Sequence, residues 1–315
     1  MSASAWLTQV LAVVVALAAA PLFLGWVNQC RAWLQNRRAP PLLQPYRGIR
    51  KLFHKEAVIA AGASSLFRIA PYVVFGAMVL AAAVIPTMGT RLPVTRAADA
   101  IALVGLLATA RVFVALAAMD VGTAFGTLGA RREMMIGFLA EPALLMVVFV
   151  ASLISASSAL PVITEQLATQ APMLLPSLAF TGVAFTMVLL AENARIPVDN
   201  PSTHLELTMI HEALLLEYSA RHLALMEWAA ALKLFNYACI GFALFVPWGV
   251  AVGGGSGQLA VSVPVLALKL AVAGAGLAFI ETVSAKLRVM RAPEFLATAF
   301  LFAVLGLLVH LLLGA

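Results

Sequence analysis

Eight stretches of about 20 mostly apolar residues constrain this chain more than any other feature, because a helix of about that length crosses a bilayer. They lie at residues 5–27, 69–88, 99–119, 134–157, 173–191, 223–247, 261–284 and 295–313. The chain is 63% hydrophobic and only 11% charged over 315 residues, whereas soluble domains are about 25% charged. A soluble protein is therefore excluded. We predict an all-α, polytopic membrane bundle of about eight transmembrane helices, forming a single membrane domain over residues 1–315.

The distribution of Lys and Arg predicts how this bundle is oriented. The loops after the first, third, fifth and seventh predicted spans hold most of the 20 cations, whereas the intervening loops hold Arg91 and Arg96. Basic loops stay on the cytoplasmic side, so we expect both termini to lie outside. No Lys or Arg precedes the first span, which argues against a signal peptide. We interpret the net charge of +6 as the basic face of a multi-pass protein of a prokaryotic inner membrane, not as a nucleic-acid-binding surface.

Two long cytoplasmic segments, 28–68 and 192–222, are predicted to serve docking and coupling. The first is rich in arginine. In the second, Pro197 interrupts the backbone, and Thr203 followed by Glu206 fits a capping box that opens a helix. Capping is one account of Glu206. The other interpretation is that Glu206 belongs to a line of carboxylates that leads from the cytoplasmic surface into the bundle.

The histidines and cysteines do not predict a metal site. His204 and His211 are seven residues apart, without a carboxylate between them on the same helix face, which is not a usual metal-ligand spacing. Cys30 and Cys239 are isolated and far apart. We therefore expect this chain to bind no metal, iron–sulfur cluster or haem.

Ionisable residues in or at the ends of the predicted spans are the candidate functional residues. A charge at bilayer depth costs about 2.5–3.5 kcal/mol on insertion scales, so such residues are usually paired or line an ion path. Arg111, Glu141 and Lys233 lie inside spans. Glu192 and Glu281 lie at span ends, where contact with water is an equal alternative. The predicted proton- or ion-coupling residues are Glu141, Glu192, Asp199, Glu206, Glu217, Glu227, Lys233, Lys269 and Glu281.

Three cytoplasmic motifs resemble a known family. Residues 192–228 contain Glu-Asn-Ala-Arg-Ile-Pro-Val-Asp and then Leu-Glu-Tyr-Ser-Ala, which resemble the signature of subunit 1 of respiratory complex I. They also resemble the membrane subunit of group 4 nickel-iron hydrogenases, the formate hydrogenlyase subunit 4 type. Residues 36–40, Asn-Arg-Arg-Ala-Pro, and 43–45, Leu-Gln-Pro, are similar to the Arg-Arg-Gly-Pro and Leu-Gln-Pro motifs of that family. Residues 129–141 resemble its third cytoplasmic motif.

Local sequence favours the hydrogenase branch of this family. Glu141 stands in Leu-Ala-Glu-Pro, where complex I has Ser-Tyr-Glu. Lys233, and Lys269 with Glu281, resemble the hydrogenase-type pattern, and the chain ends soon after its last predicted span. One departure concerns the acidic run of the family, which is replaced here by Asn-Pro-Ser-Thr-His, so that Glu206 stands alone.

The resemblance implies a membrane anchor beneath a soluble electron-transfer arm. That arm would comprise an iron–sulfur small subunit and a nickel-iron-hydrogenase-like large subunit, and antiporter-like subunits would lie beside the anchor in the membrane. Arginine forks suit the carboxylates of a docked partner. The predicted partner-docking residues are Arg37, Arg38, Arg47, Arg50, Arg131, Arg132 and Arg195.

Two alternatives stay open from the sequence. The first is subunit 1 of a complex I-type NADH-quinone oxidoreductase, with a quinone site near the first cytoplasmic loop and Glu141. The second is a stand-alone secondary transporter, which buried charges and Pro-broken helices also suit. No internal repeat supports the transporter.

Overall fold

The structure is a computed structural model, described for residues 3–60, 62–90, 92–96, 99–169, 176–199, 210–251, 256–285, 287 and 291–313. These residues are helical or form short connections, and their one β-type contact is an isolated bridge between Gly89 and Ala251. The predicted all-α class is confirmed.

Eleven α-helices are present in the described residues. They are α1 (Ala3–Leu34), α2 (Gln44–Phe53), α3 (Ser65–Val84), α4 (Ala100–Asp120), α5 (Ala124–Ser155), α6 (Leu160–Thr169), α7 (Pro176–Glu192), α8 (His211–Leu215), α9 (Ala220–Phe245), α10 (Ser256–Val283) and α11 (Ala292–Leu313). A 3₁₀ turn, Pro93–Arg96, lies between α3 and α4.

Seven of the described helices are long and apolar enough to cross a membrane: α1, α3, α4, α5, α9, α10 and α11. The eighth predicted span, 173–191, corresponds to α7, which has 17 described residues. At 1.5 Å per residue its described part is about 26 Å long, slightly less than the hydrocarbon core. Helix α5 begins ten residues before the predicted span at 134. The side of the membrane on which each terminus lies remains a prediction.

Side-chain caps define where several spans begin. Asp99 accepts a hydrogen bond from the backbone N–H of Ala102 at the start of α4, and Ser64 accepts one from Leu66 at the start of α3. Such caps satisfy backbone donors that have no partner within the helix. They fix the ends of helices whose interiors are too uniformly apolar to show a boundary.

The helices pack against one another as a bundle. Helix α4 packs against α3 and α5, α7 packs against α5 and α11, and α10 packs mainly against α1. The short α8 lies against α5. This arrangement brings the ionisable residues of α4, α5, α7, α8 and α9 into one buried region.

Helix α2 is short and strongly amphipathic, with the sequence Gln-Pro-Tyr-Arg-Gly-Ile-Arg-Lys-Leu-Phe. It is buried at Ile49 and contacts α1 and α9. A basic helix of this kind with one apolar face is typical of a membrane interface.

Candidate functional site

Arg111 of α4 is the centre of a buried ion network. The residue is 4% exposed, and its guanidinium contacts three carboxylates. Its Nη1 donates to Glu141 Oε1 at 2.6 Å, its Nη2 donates to Glu192 Oε1, and its Nε lies 3.5 Å from Glu133 Oε1. The five donors of a guanidinium allow one arginine to serve several carboxylates. Because unpaired buried charges are costly, this sharing explains how three acids are tolerated here.

The spacing of residues on α5 makes room for this arginine. Glu133, Gly137 and Glu141 are four residues apart and therefore lie along one helix face. A Cβ atom placed on Gly137 would lie 2.8 Å from Cδ of Arg111 and 3.1 Å from its Cζ. Glycine at this position thus lets the guanidinium lie directly on α5 between the two glutamates.

Lys233 of α9 extends the network to a fourth helix. Its Nζ lies 2.9 Å from Glu192 Oε2, so Glu192 is shared by two cations. The Glu192 side chain is 2% exposed, whereas that of Glu141 is 34% exposed. The network therefore runs from the interior at Glu192 to the protein surface at Glu141.

His211 connects the same network to the loop that follows α7. Its Nε2 lies 3.4 Å from Glu133 Oε2 and its Nδ1 lies 3.6 Å from Asp199 Oδ2. These are electrostatic contacts longer than ordinary hydrogen bonds. Asp199 also accepts the backbone N–H of His211 at 3.2 Å. Burial by itself lowers the pKa of His211, but Glu133 and Asp199 outweigh it, and the pKa is raised above its ordinary value.

The charge balance of the network leaves room for an extra proton. Among the described residues, the network contains four carboxylates (Glu133, Glu141, Glu192 and Asp199) and two basic side chains, Arg111 and Lys233, besides His211. Carboxylates thus outnumber basic side chains among these described residues, both with neutral and with protonated His211. An excess of buried negative charge favours proton uptake.

A second buried ion cluster holds α10 against α1 and the loop after α7. Glu281 Oε1 accepts from Arg195 Nη1 at 3.1 Å, and Glu281 Oε2 lies 3.5 Å from Arg31 Nη1. The backbone N–H of Leu287 donates to the Pro197 carbonyl at 2.8 Å. This cluster joins three separate parts of the chain at one end of the bundle.

The structure places the other predicted coupling residues outside these two clusters. Glu227 is exposed and Glu217 is half-buried. Lys269 donates to the Val246 carbonyl at 2.5 Å, and its Nζ lies 5.8 Å from the centroid of the Phe242 ring. Glu206 lies outside the described residues. The predicted single line of carboxylates is thus represented, in the described residues, by a branched network with Arg111 at its centre.

The predicted docking arginines divide by exposure. Arg37, Arg38, Arg47, Arg50 and Arg131 are exposed, and Arg132 is half-buried. Arg195 differs, because it is 7% exposed and paired with Glu281. Its guanidinium lies inside the protein, which leaves it little surface for a partner.

Two adjoining cavities approach the Arg111 network. The inner cavity, of about 190 Å³, is lined by Arg111, Glu133, Glu192, His211 and Lys233 together with apolar side chains such as Met78 and Leu234. The outer one is an open cleft of about 820 Å³ between the end of α1, residues 37–49 and α9. The cavities share Leu24, Leu215, Ala230 and Ala231 as lining residues.

Sequence reasoning omitted three residues from this site: Arg111, Glu133 and His211. Arg111 was recognised as a charge inside a span, but its role depends on contacts between helices. The spacing of four residues from Glu133 through Gly137 to Glu141 was the available signal for Glu133. The described residues contain no group of three or more His, Cys, Asp or Glu that could hold a metal ion.

Sequence and structure comparisons agree on the relationship of this chain to known proteins. The NADH dehydrogenase family matches residues 7–312. The chain belongs to the NADH dehydrogenase family. It is 33% identical over 297 residues to formate hydrogenlyase subunit 4 of Escherichia coli (strain K12), covering 93% of this chain and 94% of that protein. It is also 36% identical over 238 residues to hydrogenase-4 component C of the same organism, covering 75% of this chain and 74% of the relative.

The fold of this NADH dehydrogenase family member recurs in a solved structure. A chain in the structure of the membrane-bound sulfane sulfur reductase, an archaeal respiratory membrane complex, aligns with a TM-score of 0.80 at 22% identity. The alignment covers 96% of this chain and 98% of that one. The family resemblance predicted from the three loop motifs is confirmed, as is a multi-pass membrane protein.

Proposed function

We propose that this chain is the membrane-anchoring, proton-coupling subunit of a group 4 hydrogenase complex. In this proposal it joins a soluble arm, with an iron–sulfur small subunit and a nickel-iron-hydrogenase-like large subunit, to antiporter-like membrane subunits. Any cofactors would lie in the partners. The names of its relatives, a formate hydrogenlyase subunit and a hydrogenase-4 component, support the hydrogenase branch.

The buried network around Arg111 carries this proposal. It contains a histidine, four carboxylates and two basic side chains joined by a chain of contacts, and it links five helices and the loop after α7. A proton entering at Asp199 or His211 alters the charge that Glu133 and Arg111 experience. Because Arg111 also contacts Glu141 and Glu192, the change reaches the partly exposed Glu141 side chain through direct contacts. Intramembrane networks of this kind are typical of proton relays.

The exposed arginines support docking of an acidic soluble partner. Arg37, Arg38, Arg47, Arg50 and Arg131 present their side chains to the surface. Guanidinium forks bind carboxylates in two-point contacts more specifically than ammonium groups do. An arm docked there would lie next to the loop that contains Asp199, which is the start of the proposed relay.

The relay is tested with Glu141→Gln and Lys233→Ala in the complete complex reconstituted into vesicles. We expect both variants to retain the soluble arm and to translocate fewer protons per turnover, by about tenfold or more if proton transfer through the network limits coupling. Proton movement is followed with a pH-sensitive dye during hydrogen turnover. Glu165→Gln is the matched control, because Glu165 is an exposed carboxylate on α6. Unchanged translocation in both network variants would refute the relay.

A quinone-site subunit of a complex I-type enzyme is the second candidate function. The observation that favours it is the pair of adjoining cavities, which gives an apolar ligand a route from the cleft at α1 to Arg111. Purification of the native complex in mild detergent separates the candidates. Nickel and hydrogen-linked activity support the hydrogenase subunit, whereas iron without nickel and with quinone reduction supports the complex I type.

A further inference from the structure

The open cleft beside α1 has two chemically different ends. Its cationic end is lined by Arg31, Arg37 and Arg38, with Asn28, Gln35 and Gln44 beside them. Its apolar end is lined by Leu24, Ile196, Leu215, Ala230 and Ala231. Among the described residues that line the cleft, Glu227 is the one with an acidic side chain. Its volume of about 820 Å³ is within the range of about 300–1,000 Å³ for small-molecule sites.

Neighbouring elements indicate that the cationic end lies at the level of lipid headgroups. Trp33, near the end of α1, is 56% exposed, and exposed Trp is enriched at the membrane–water interface. Helix α2 borders the cleft at Pro45, Gly48 and Ile49, and it has the basic, amphipathic composition of an interfacial helix. The apolar end extends from there along α1 and α9 toward the bundle interior.

The charges of the cleft are only partly neutralised within the described part of the chain. Three arginines and one glutamate give an excess of two positive charges. Arg31 shares Glu281 with Arg195, and Arg37 and Arg38 form no ion pair with a described carboxylate. The cleft therefore offers guanidinium groups to an anion whose remaining part is apolar.

We propose that this cleft binds one anionic phospholipid. The phosphate would contact Arg37 and Arg38, and one acyl chain would lie along α1 and α9 beside Leu24, Ala230 and Ala231. The orientation follows from the lining, since the guanidiniums are at headgroup depth and the apolar residues lie deeper. This assigns Arg37 and Arg38, which belong to the proposed docking set, to the lipid, whereas Arg47, Arg50 and Arg131 do not line the cleft and would be left for a soluble partner.

The test is lipid retention by the complete complex in mild detergent. Delipidated complex is incubated with phosphatidylglycerol or with phosphatidylcholine, washed, and the lipid bound to this subunit is measured by native mass spectrometry. We expect one phosphatidylglycerol per chain, retained about fivefold or more over phosphatidylcholine because each basic residue near an anionic lipid contributes about 1 kcal/mol. No turnover is measured, so failure of the proton relay would not affect this result.

Two variants locate the site. Arg37→Gln with Arg38→Gln should reduce phosphatidylglycerol retention to the level of phosphatidylcholine, whereas Arg68→Gln with Arg221→Gln removes two exposed arginines that lie outside the cleft and outside the docking set, and should change nothing. Ala230→Phe narrows the apolar end, leaves the arginines intact and should lower retention of both lipids. If the complex with both arginine substitutions does not assemble, Ala230→Phe still tests whether the lipid lies in the cleft.

Several results would overturn the proposal. They are equal retention of the two lipids, a quinone in the cleft in place of a phospholipid, and no bound lipid after delipidation and refilling. Displacement of phosphatidylglycerol by inorganic phosphate would also overturn it, because it would show recognition of the anion without the acyl chain. Retention that survives both the arginine and the Ala230 substitutions would place the lipid elsewhere.

Discussion

Loss of the Glu192 carboxylate is predicted to destabilise the buried network strongly. Glu192 is 2% exposed and contacts Arg111 and Lys233. In Glu192→Gln, Lys233 loses the only carboxylate with which it pairs among the described residues, whereas Arg111 keeps Glu133 and Glu141. Removing one member of a buried ion pair costs about 3–5 kcal/mol, because the remaining charge stays buried without compensation.

Lys233→Met provides the contrast. It removes one charged hydrogen bond, worth about 1.5–3 kcal/mol, but Glu192 keeps its contact with Arg111, so no isolated charge is created. The double variant Glu192→Gln with Lys233→Met removes the unpaired ammonium as well. The stability lost in the double variant should therefore be smaller than the sum of the losses in the two single variants, with a coupling energy of about 0.5–3 kcal/mol.

The assay is the midpoint temperature at which the complex loses its monodisperse size-exclusion peak in detergent. If each kcal/mol shifts a midpoint by about 2–4 °C, Glu192→Gln should lower it by at least about 6 °C and Lys233→Met by less. Glu165→Gln, on the exposed face of α6, is the control and should leave the midpoint unchanged. The reasoning is refuted if Lys233→Met costs as much as Glu192→Gln, or if the effects in the double variant simply add.

Three further predictions concern other parts of the protein. Gly274→Ala should destabilise the α1–α10 contact by about 1–3 kcal/mol through overpacking, since the added Cβ would lie 2.6 Å from Trp26 Cδ1. Gly276→Ala is the control and should leave the same thermal midpoint unchanged, because no atom lies within 4 Å of a Cβ at that position. Glu281→Gln should lower that midpoint because it removes the carboxylate with which buried Arg195 pairs among the described residues, whereas Glu294→Gln on the exposed start of α11 should not. The raised pKa of His211 stabilises the fold below the ordinary histidine pKa of about 6.5, and this contribution is lost as pH rises through the pKa of the folded state. The thermal midpoint should therefore fall less steeply with rising pH in His211→Gln than in the unaltered protein. Identical pH profiles would contradict the raised pKa of His211.

The apolar composition was sufficient to predict the fold class and most of the helices. A continuous apolar run of about 20 residues has few structural alternatives in a membrane, where every backbone polar group must be satisfied within the chain. Helices α4 and α9 accordingly lie within three residues of their predicted spans. Prediction failed at the start of α5, because residues 124–133 mix glycine and charge, and only their packing against α4 and α8 makes them a buried part of the helix.

The candidate site was only partly predictable. Glu141, Glu192, Asp199 and Lys233 were predicted because charges in or beside an apolar span stand out in the sequence. Their partners were not, since Glu133 lies before the predicted span and His211 in a connecting segment. Lys269 shows the reverse case, because a lysine inside a span looked like a network member, yet its ammonium contacts a backbone carbonyl and an aromatic ring.

The sequence by itself determined that this chain is a polytopic helical membrane protein with the loop motifs of its family. It did so because hydrophobicity and motif order are properties of local stretches of chain. Only the tertiary structure decided that Arg111 lies at the centre of the network, that Arg195 is an internal partner of Glu281, and that a cationic cleft adjoins the buried charges. Those features arise from contacts among helices far apart in the chain, and the energy of a buried charge depends on which partner packing places beside it.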